Sequence, residues 1–219
     1  GGTNNDLLIG GAGDDTLYGD QGNDTIDGGE GNDAVSVYCY GDTGKADNLD
    51  GGAGIDTLSV DLSNQTAAIT FDSTNPVAVI TFADATKVAN FEIFKDIKTG
   101  SGNDRLVQLG RMDNQWYAGS GDDIINPGLG SSDFVGGEAG NDLLKLDYSV
   151  EDTGEGVTSY ITNYSDGAFG SFSRYQTNNS SAFDNVIFNG IERFEVTGSS
   201  KNDDLKGETN NDLLIGGAG

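Results

Sequence analysis

GGTNNDLLI (1–9), GGAGDDTLY (10–18), GDQGNDTID (19–27) and GGEGNDAVS (28–36) follow one another without a gap, and their common frame decides the fold. Position six is always Asp: Asp6, Asp15, Asp24 and Asp33. Position eight is always aliphatic: Leu8, Leu17, Ile26 and Val35. The frame returns as GGAGIDTLS (51–59), TGSGNDRLV (99–107), AGSGDDIIN (118–126), GSSKNDDLK (198–206) and GETNNDLLI (207–215). Looser copies are PGLGSSDFV (127–135) and GGEAGNDLLK (136–145), the second one residue long.

Six residues rich in Gly and Asn/Asp accept positive φ and make a tight turn. The last three form a minimal strand whose central side chain points inward. Two nonamers then make one coil, and successive coils stack at the ~4.8 Å spacing of neighbouring strands. This predicts Asp6 beside Asp24 and Asp15 beside Asp33. Two carboxylates about 5 Å apart repel by roughly 1 kcal/mol in water and about 3 kcal/mol at an effective dielectric of 20. Two aliphatic side chains per coil are too little to offset that repulsion and the ordering of the backbone. A hard dication held by Asp carboxylates and turn carbonyls reverses the balance. An all-oxygen, partly backbone ligand set favours Ca²⁺ over Mg²⁺. With no His and a single Cys in the chain, zinc is disfavoured.

These nonamers resemble the GGxGxDxUx repeats of the RTX (repeats-in-toxin) proteins, a calcium-binding parallel β-helix pattern. The resemblance covers roughly half of the chain. It implies several Ca²⁺ ions, with Asp6, Asp15, Asp24, Asp33, Asp56, Asp104, Asp123, Asp142, Asp203 and Asp212 as side-chain ligands. The frame is least regular at Asp142, which follows an inserted residue, and at Asp56, which lacks a regular neighbour. In the copy at 127–135 position six is Ser132, so either Asp133 substitutes or the site is empty.

Two stretches interrupt the repeats and resemble each other. GGAGIDTLSVDLS (51–63) matches GGEAGNDLLKLDYS (136–149), and NFEIF (90–94) matches GIERF (190–194). Between them lie alternating apolar patterns: AAITF (67–71), VAVITF (77–82), SYITNY (159–164) and NVIFNGIERFEV (185–196). Such alternation predicts antiparallel strands with one buried face. The fold class is therefore all-β: parallel β-roll blocks interrupted by small antiparallel excursions. The expected organisation is a repeat block over 1–36, a linker, repeat and first excursion over 37–98, and a second block over 99–146. An aromatic-rich excursion follows over 147–197, then a repeat block over 198–219. The second excursion carries Tyr148, Tyr160, Tyr164, Phe169, Phe172, Tyr175, Phe183 and Phe188. We expect these rings, like Trp116 and Cys39, to fill core; a carbohydrate platform is the alternative.

Acidic residues number 36 against 11 basic, a net charge of −25, and 28 of the acids are Asp. That charge excludes nucleic-acid phosphate and anionic membrane surfaces as natural partners. No apolar run approaches the ~20 residues of a membrane-spanning helix. Without His, the usual general base is missing, and no Glu sits in a recognisable catalytic setting, so an enzyme is not expected. Residues 3–13, TNNDLLIGGAG, recur identically at 209–219. The chain opens and closes inside the repeat pattern, which points to a longer protein with a ~206-residue unit in tandem and neighbouring copies as partners. The resemblance implies a bacterial protein exported by type I secretion, folding on extracellular calcium as part of a filament, surface layer, stalk or adhesin.

Overall fold

A computed structural model describes residues 1–38, 46–73, 79–82, 85–108, 110–150, 154–175, 182–207 and 209–219. Cys39, the first two residues of the 77–82 pattern and the side chain of Phe183 lie outside the described set. The chain divides into two compact units, residues 1–102 and 103–219. No helix occurs among the described residues, and none is therefore long and apolar enough to cross a membrane.

The first unit contains β1 (Leu7–Ala12), β2 (Thr16–Tyr18), β3 (Thr25–Glu30), β4 (Ala34–Tyr38), β5 (Asn48–Asp50), β6 (Thr57–Asp61), β7 (Thr70–Asp72), β8 (Ile80–Thr81), β9 (Lys87–Ala89) and β10 (Ile93–Lys98). Successive nonamers alternate between two parallel sheets, as expected of a β-roll. One runs β1-β3-β5-β9, with β8 antiparallel on β9; the other carries β2, β4, β6 and β10. Register places position eight of each coil over the next. Leu8, Ile26, Leu49 and Val88 form one column, and Leu17, Val35, Leu58 and Phe94 the other. Both columns are buried except at their first members, Leu8 and Leu17, which are half-buried. The first excursion holds less strand than its alternation predicts, with β7 and β8 spanning three and two residues. Phe71 compensates by packing against Phe82 and Phe94 at ring distances of 5.1 and 4.9 Å.

The second unit contains β11 (Arg105–Val107), β12 (Gln115–Tyr117), β13 (Ile124–Asn126), β14 (Asp133–Gly136), β15 (Leu143–Asp147), β16 (Val157–Tyr164), β17 (Gly167–Tyr175), β18 (Ala182–Ile191), β19 (Arg193–Thr197) and β20 (Leu213–Ile215). Parallel β11, β13, β15, β19 and β20 make one sheet. In the other, parallel β12, β14 and β18 continue into the antiparallel β17 and β16. The second excursion thus extends the roll and shares its core. Phe172, Phe188 and Phe194 meet at 5.0–5.7 Å. Trp116 is buried in register with Val135, a position-eight packing role.

The aromatic excursion fills the core with only part of its rings. Tyr148, Phe172 and Phe188 are buried, whereas Tyr160, Tyr164, Phe169 and Tyr175 are exposed. The reason is the period of two along a strand, which sends alternate side chains to opposite faces of a sheet with one face in solvent. Truncating an inward ring should therefore cost far more than truncating an outward one. Phe188→Ala is expected to lower stability by about 3–5 kcal/mol, and Tyr160→Ala by less than about 0.5 kcal/mol. Urea denaturation in saturating calcium measures both.

Candidate metal sites

Each turn brings its position-six residue against the same position of the next coil. The backbone N–H of Asp6 donates to Asp24 Oδ1 (3.0 Å), and that of Asp15 to Asp33 Oδ1 (2.8 Å). The columns continue from Asp24 to Asp47 Oδ1 (2.8 Å) and from Asp33 to Asp56 Oδ1 (2.7 Å). In the second unit Asp104 donates to Asp123 Oδ1 (2.6 Å) and Asp123 to Asp142 Oδ1 (2.9 Å). Bonding also runs the other way: the N–H of position seven returns to the position-six carbonyl one coil earlier, as from Ala34 to Asp15 and Leu143 to Asp123. Asp56 and Asp142, the two irregular copies, take full part in their columns.

Asp24, Asp33, Asp47, Asp56, Asp123 and Asp142 each spend Oδ1 on the preceding coil. The Oδ2 oxygen is buried and receives no hydrogen bond at Asp6, Asp15, Asp24, Asp33, Asp56, Asp123 and Asp142. In the copies that begin with glycine, the missing Cβ leaves the carboxylate room to tuck in. A Cβ built on Gly10 would lie 2.7 Å from Asp15 Oδ2, and one on Gly19 would lie 2.8 Å from Asp24 Oδ2. At position four Gly31 has φ +138°, a conformation glycine adopts without the Cβ clash.

The electrostatics follow from that crowding. Burial raises the pKa of Asp56, Asp123 and Asp142. The backbone N–H from the preceding coil counters it in part, and neighbouring carboxylates add to it. Asp123 is pushed up to about 7 and Asp142 up to about 8. Buried acid oxygens without donors are costly to charge, and a bound cation removes the cost. The residues fit Ca²⁺: the oxygens are hard, anionic and repeated at every coil. Among the described residues no three acidic side chains converge on one point, so a calcium ion here would complete its oxygen shell with turn carbonyls, side-chain amides or water.

Two of the expected ligands are placed differently. Asp203 accepts from Val157 N (2.7 Å), Ser199 Oγ (2.8 Å) and Ser199 N (3.0 Å), so both of its oxygens have donors. Asp212 accepts from Phe194 N (2.9 Å). In the 127–135 copy Asp133 does take the position-six place, accepting from Asn114 N (2.9 Å), with Val135 as the inward residue. Its Oδ2 is already bonded to Gly130 N (2.8 Å).

Several residues outside the regular nonamers also occupy the columns. Asp47, with Leu49 two residues on, is a position-six Asp in a degenerate copy. Thr86 Oγ1 accepts from Asp47 N (3.2 Å) and ends that column. Glu92 Oε2 accepts from Asp56 N, and Glu192 Oε2 from Asp142 N, each at 2.8 Å. Their spacing to Phe94 and Phe194 copies the six-to-eight spacing of the nonamer, with Glu for Asp and Phe for Leu. The matching NFEIF and GIERF segments carried that signal. A second ladder runs at position five, where a later N–H donates to an earlier side chain: Asn23 to Asn5 Oδ1 (2.9 Å), Asn32 to Asp14 Oδ1 (2.8 Å) and Asp122 to Asn103 Oδ1 (3.0 Å). Its signal was the Asn or Asp that precedes the position-six Asp in most regular copies.

Comparison with known families agrees with this geometry. The model of the RTX calcium-binding nonapeptide repeat matches four times, over residues 1–35, 42–61, 117–132 and 196–219. No curated protein matches the chain. The matched segments are RTX repeats, which bind Ca²⁺, several ions across the repeats. The raised carboxyl pKa values set the sign of a pH effect. A carboxyl that holds its proton more tightly when folded supports the calcium-free fold below its unfolded value of 3.8, and that support is lost as pH rises toward about 8. Calcium must displace the same protons. Its binding is therefore expected to release protons near pH 7 and to tighten from pH 6 to pH 8, which calorimetry in buffers of different ionisation enthalpy measures; a pH-independent affinity would contradict the assignment.

Proposed function

We propose, from the premise that the chain carries RTX calcium-binding repeats, that it is a structural module of a secreted or cell-surface bacterial protein and folds as calcium arrives. The ions are held by the columns Asp6–Asp24–Asp47, Asp15–Asp33–Asp56 and Asp104–Asp123–Asp142. The observation that carries this reading is the row of buried Oδ2 oxygens with no hydrogen-bond donor. A protein that filled these positions with its own donors would have no need of the ion. Low intracellular calcium keeps such a chain open for export, and calcium outside the cell closes it.

The same unit in series would build an extended, rigid segment. The identity of 3–13 with 209–219 supports a ~206-residue period. Circular dichroism should show loss of β structure in chelator and recovery in millimolar calcium, and two units in series should melt above one. A β spectrum with an unchanged melt in chelator would sink the proposal.

A second reading, glycan recognition by an adhesin module, draws on the outward rings. Tyr164 and Phe169 border an open cleft of about 570 Å³ with Glu138, Asp166 and Asn189. Aromatic faces beside amide and carboxylate groups suit sugar rings. A glycan array probed with the calcium-loaded chain should give signal that Tyr164→Ala and Phe169→Ala abolish; silence across the array leaves the structural reading alone.

A further inference from the structure

The two sheets of the second unit meet their turns in different ways. On the sheet of β11, β13 and β15, the turn column is Asp104, Asp123 and Asp142, followed by Glu192. On the sheet of β12, β14 and β18, the same column begins with a neutral residue, Asn114. Its backbone N–H donates to Asp133 Oδ1 as in every other column. Its side chain, 2 % exposed, does something no Asp can do. Nδ2 donates to Pro127 O at 2.7 Å, to Met112 O at 3.1 Å and to Asp133 Oδ1 at 3.1 Å. Reversing the amide would point its oxygen at three other oxygens, so the donor must face this way. Two turn carbonyls and one carboxylate oxygen, the groups that would surround a cation, are gathered by one NH₂ group. Asn114 Oδ1 is left buried without a donor, the cost of the arrangement.

The remaining acid oxygens on this flank are also taken by the protein's own donors. Asp133 Oδ2 accepts from Gly130 N (2.8 Å). One coil further on, Asp184 Oδ2 accepts from Arg174 Nε (2.9 Å), and both of these side chains are 0 % exposed. Arg111 Nη1 bonds to Asp184 Oδ1. Two guanidinium charges therefore meet on the buried Asp184, whereas the opposite column stacks three Asp and a Glu.

We infer that the Asn114–Asp133 turn takes no calcium, its amide doing the work of the ion, and that the sheet β12-β14-β18-β17-β16 holds together without metal. This rests on the calcium reading of the other columns and assigns an exception within it. The second unit then has a metal-independent sheet, built on Trp116, Phe172 and Phe188, against which the calcium-dependent sheet orders.

Hydrogen exchange of the full chain in chelator and in calcium tests this. In chelator the amides of β14, β17 and β18 should exchange at least about tenfold more slowly than those of β11, β13 and β15. Calcium should remove the difference. Equal loss of protection in both sheets would overturn this inference alone. Full protection everywhere in chelator would instead overturn the calcium reading on which it rests. Asn114→Asp gives an independent arm. It replaces the donor by a charged acceptor, so protection of β14 in chelator should fall and native mass spectrometry in calcium should count one more ion. An unchanged ion count with unchanged protection would overturn the inference. Asp123→Asn, in the opposite column, should lower the count while leaving β14 protected in chelator; loss of β14 protection in that variant would count against it.

Discussion

One contact recurs through the structure: a backbone N–H at position six donates to the carboxylate at position six of the next coil. It fixes the stacking of the turns, and through them the register of both sheets. It also occupies only half of each carboxylate. The other oxygen is carried into a buried place where no donor reaches it, and in most copies a glycine at position one leaves the room for it. The repeat therefore builds its framework and its need for a cation with the same residue. Burial, with charge repulsion between neighbouring coils added to it, raises the pKa values of Asp123 and Asp142 and is the physical form of that need.

Much of this was legible in the residues. Phase alone located the inward residues Ile26, Val35, Leu58, Leu106, Ile125 and Leu144, and paired the turns of Asp6 with Asp24 and of Asp15 with Asp33. What phase could not locate were members whose spacing or chemistry had drifted. Asp47 sits 23 residues from Asp24 instead of 18, and Thr86 and Glu92 lie 39 and 36 residues from their partners. The gaps of 23 and 39 hide Asp47 and Thr86 from any search by nines, whereas Glu92 is in phase and is hidden by its chemistry, Glu in the place of Asp. Stacking tolerates them because a coil is judged by its register with its neighbour. Asp203 shows the converse. Its nonamer is in frame, yet its carboxylate is satisfied by Ser199 and Val157, so sequence position overstated its availability.

The replacements at the ends of columns share a logic. Thr86, Glu92, Glu192 and Asn114 each offer or redirect a hydrogen bond in the place of an Asp, with a different reach or charge. Phe94 and Phe194 widen the inward position two residues later. The excursions thus return to the coil through copies that keep the geometry of the repeat while changing its chemistry. The buried Arg174–Asp184 pair carries that change furthest, since a side-chain cation is built into the fold.

The position-five and position-six ladders donate in opposite senses along the roll. Each boundary between coils is therefore reciprocal: the earlier coil supplies N–H to the later at one residue and receives it at the next. Neither partner can hold its turn once the other has let go. In the statistical language of a linear chain, most of the free energy lies in the couplings between sites and little in the sites themselves. Such a chain has a long correlation length. It should order in blocks that span many coils.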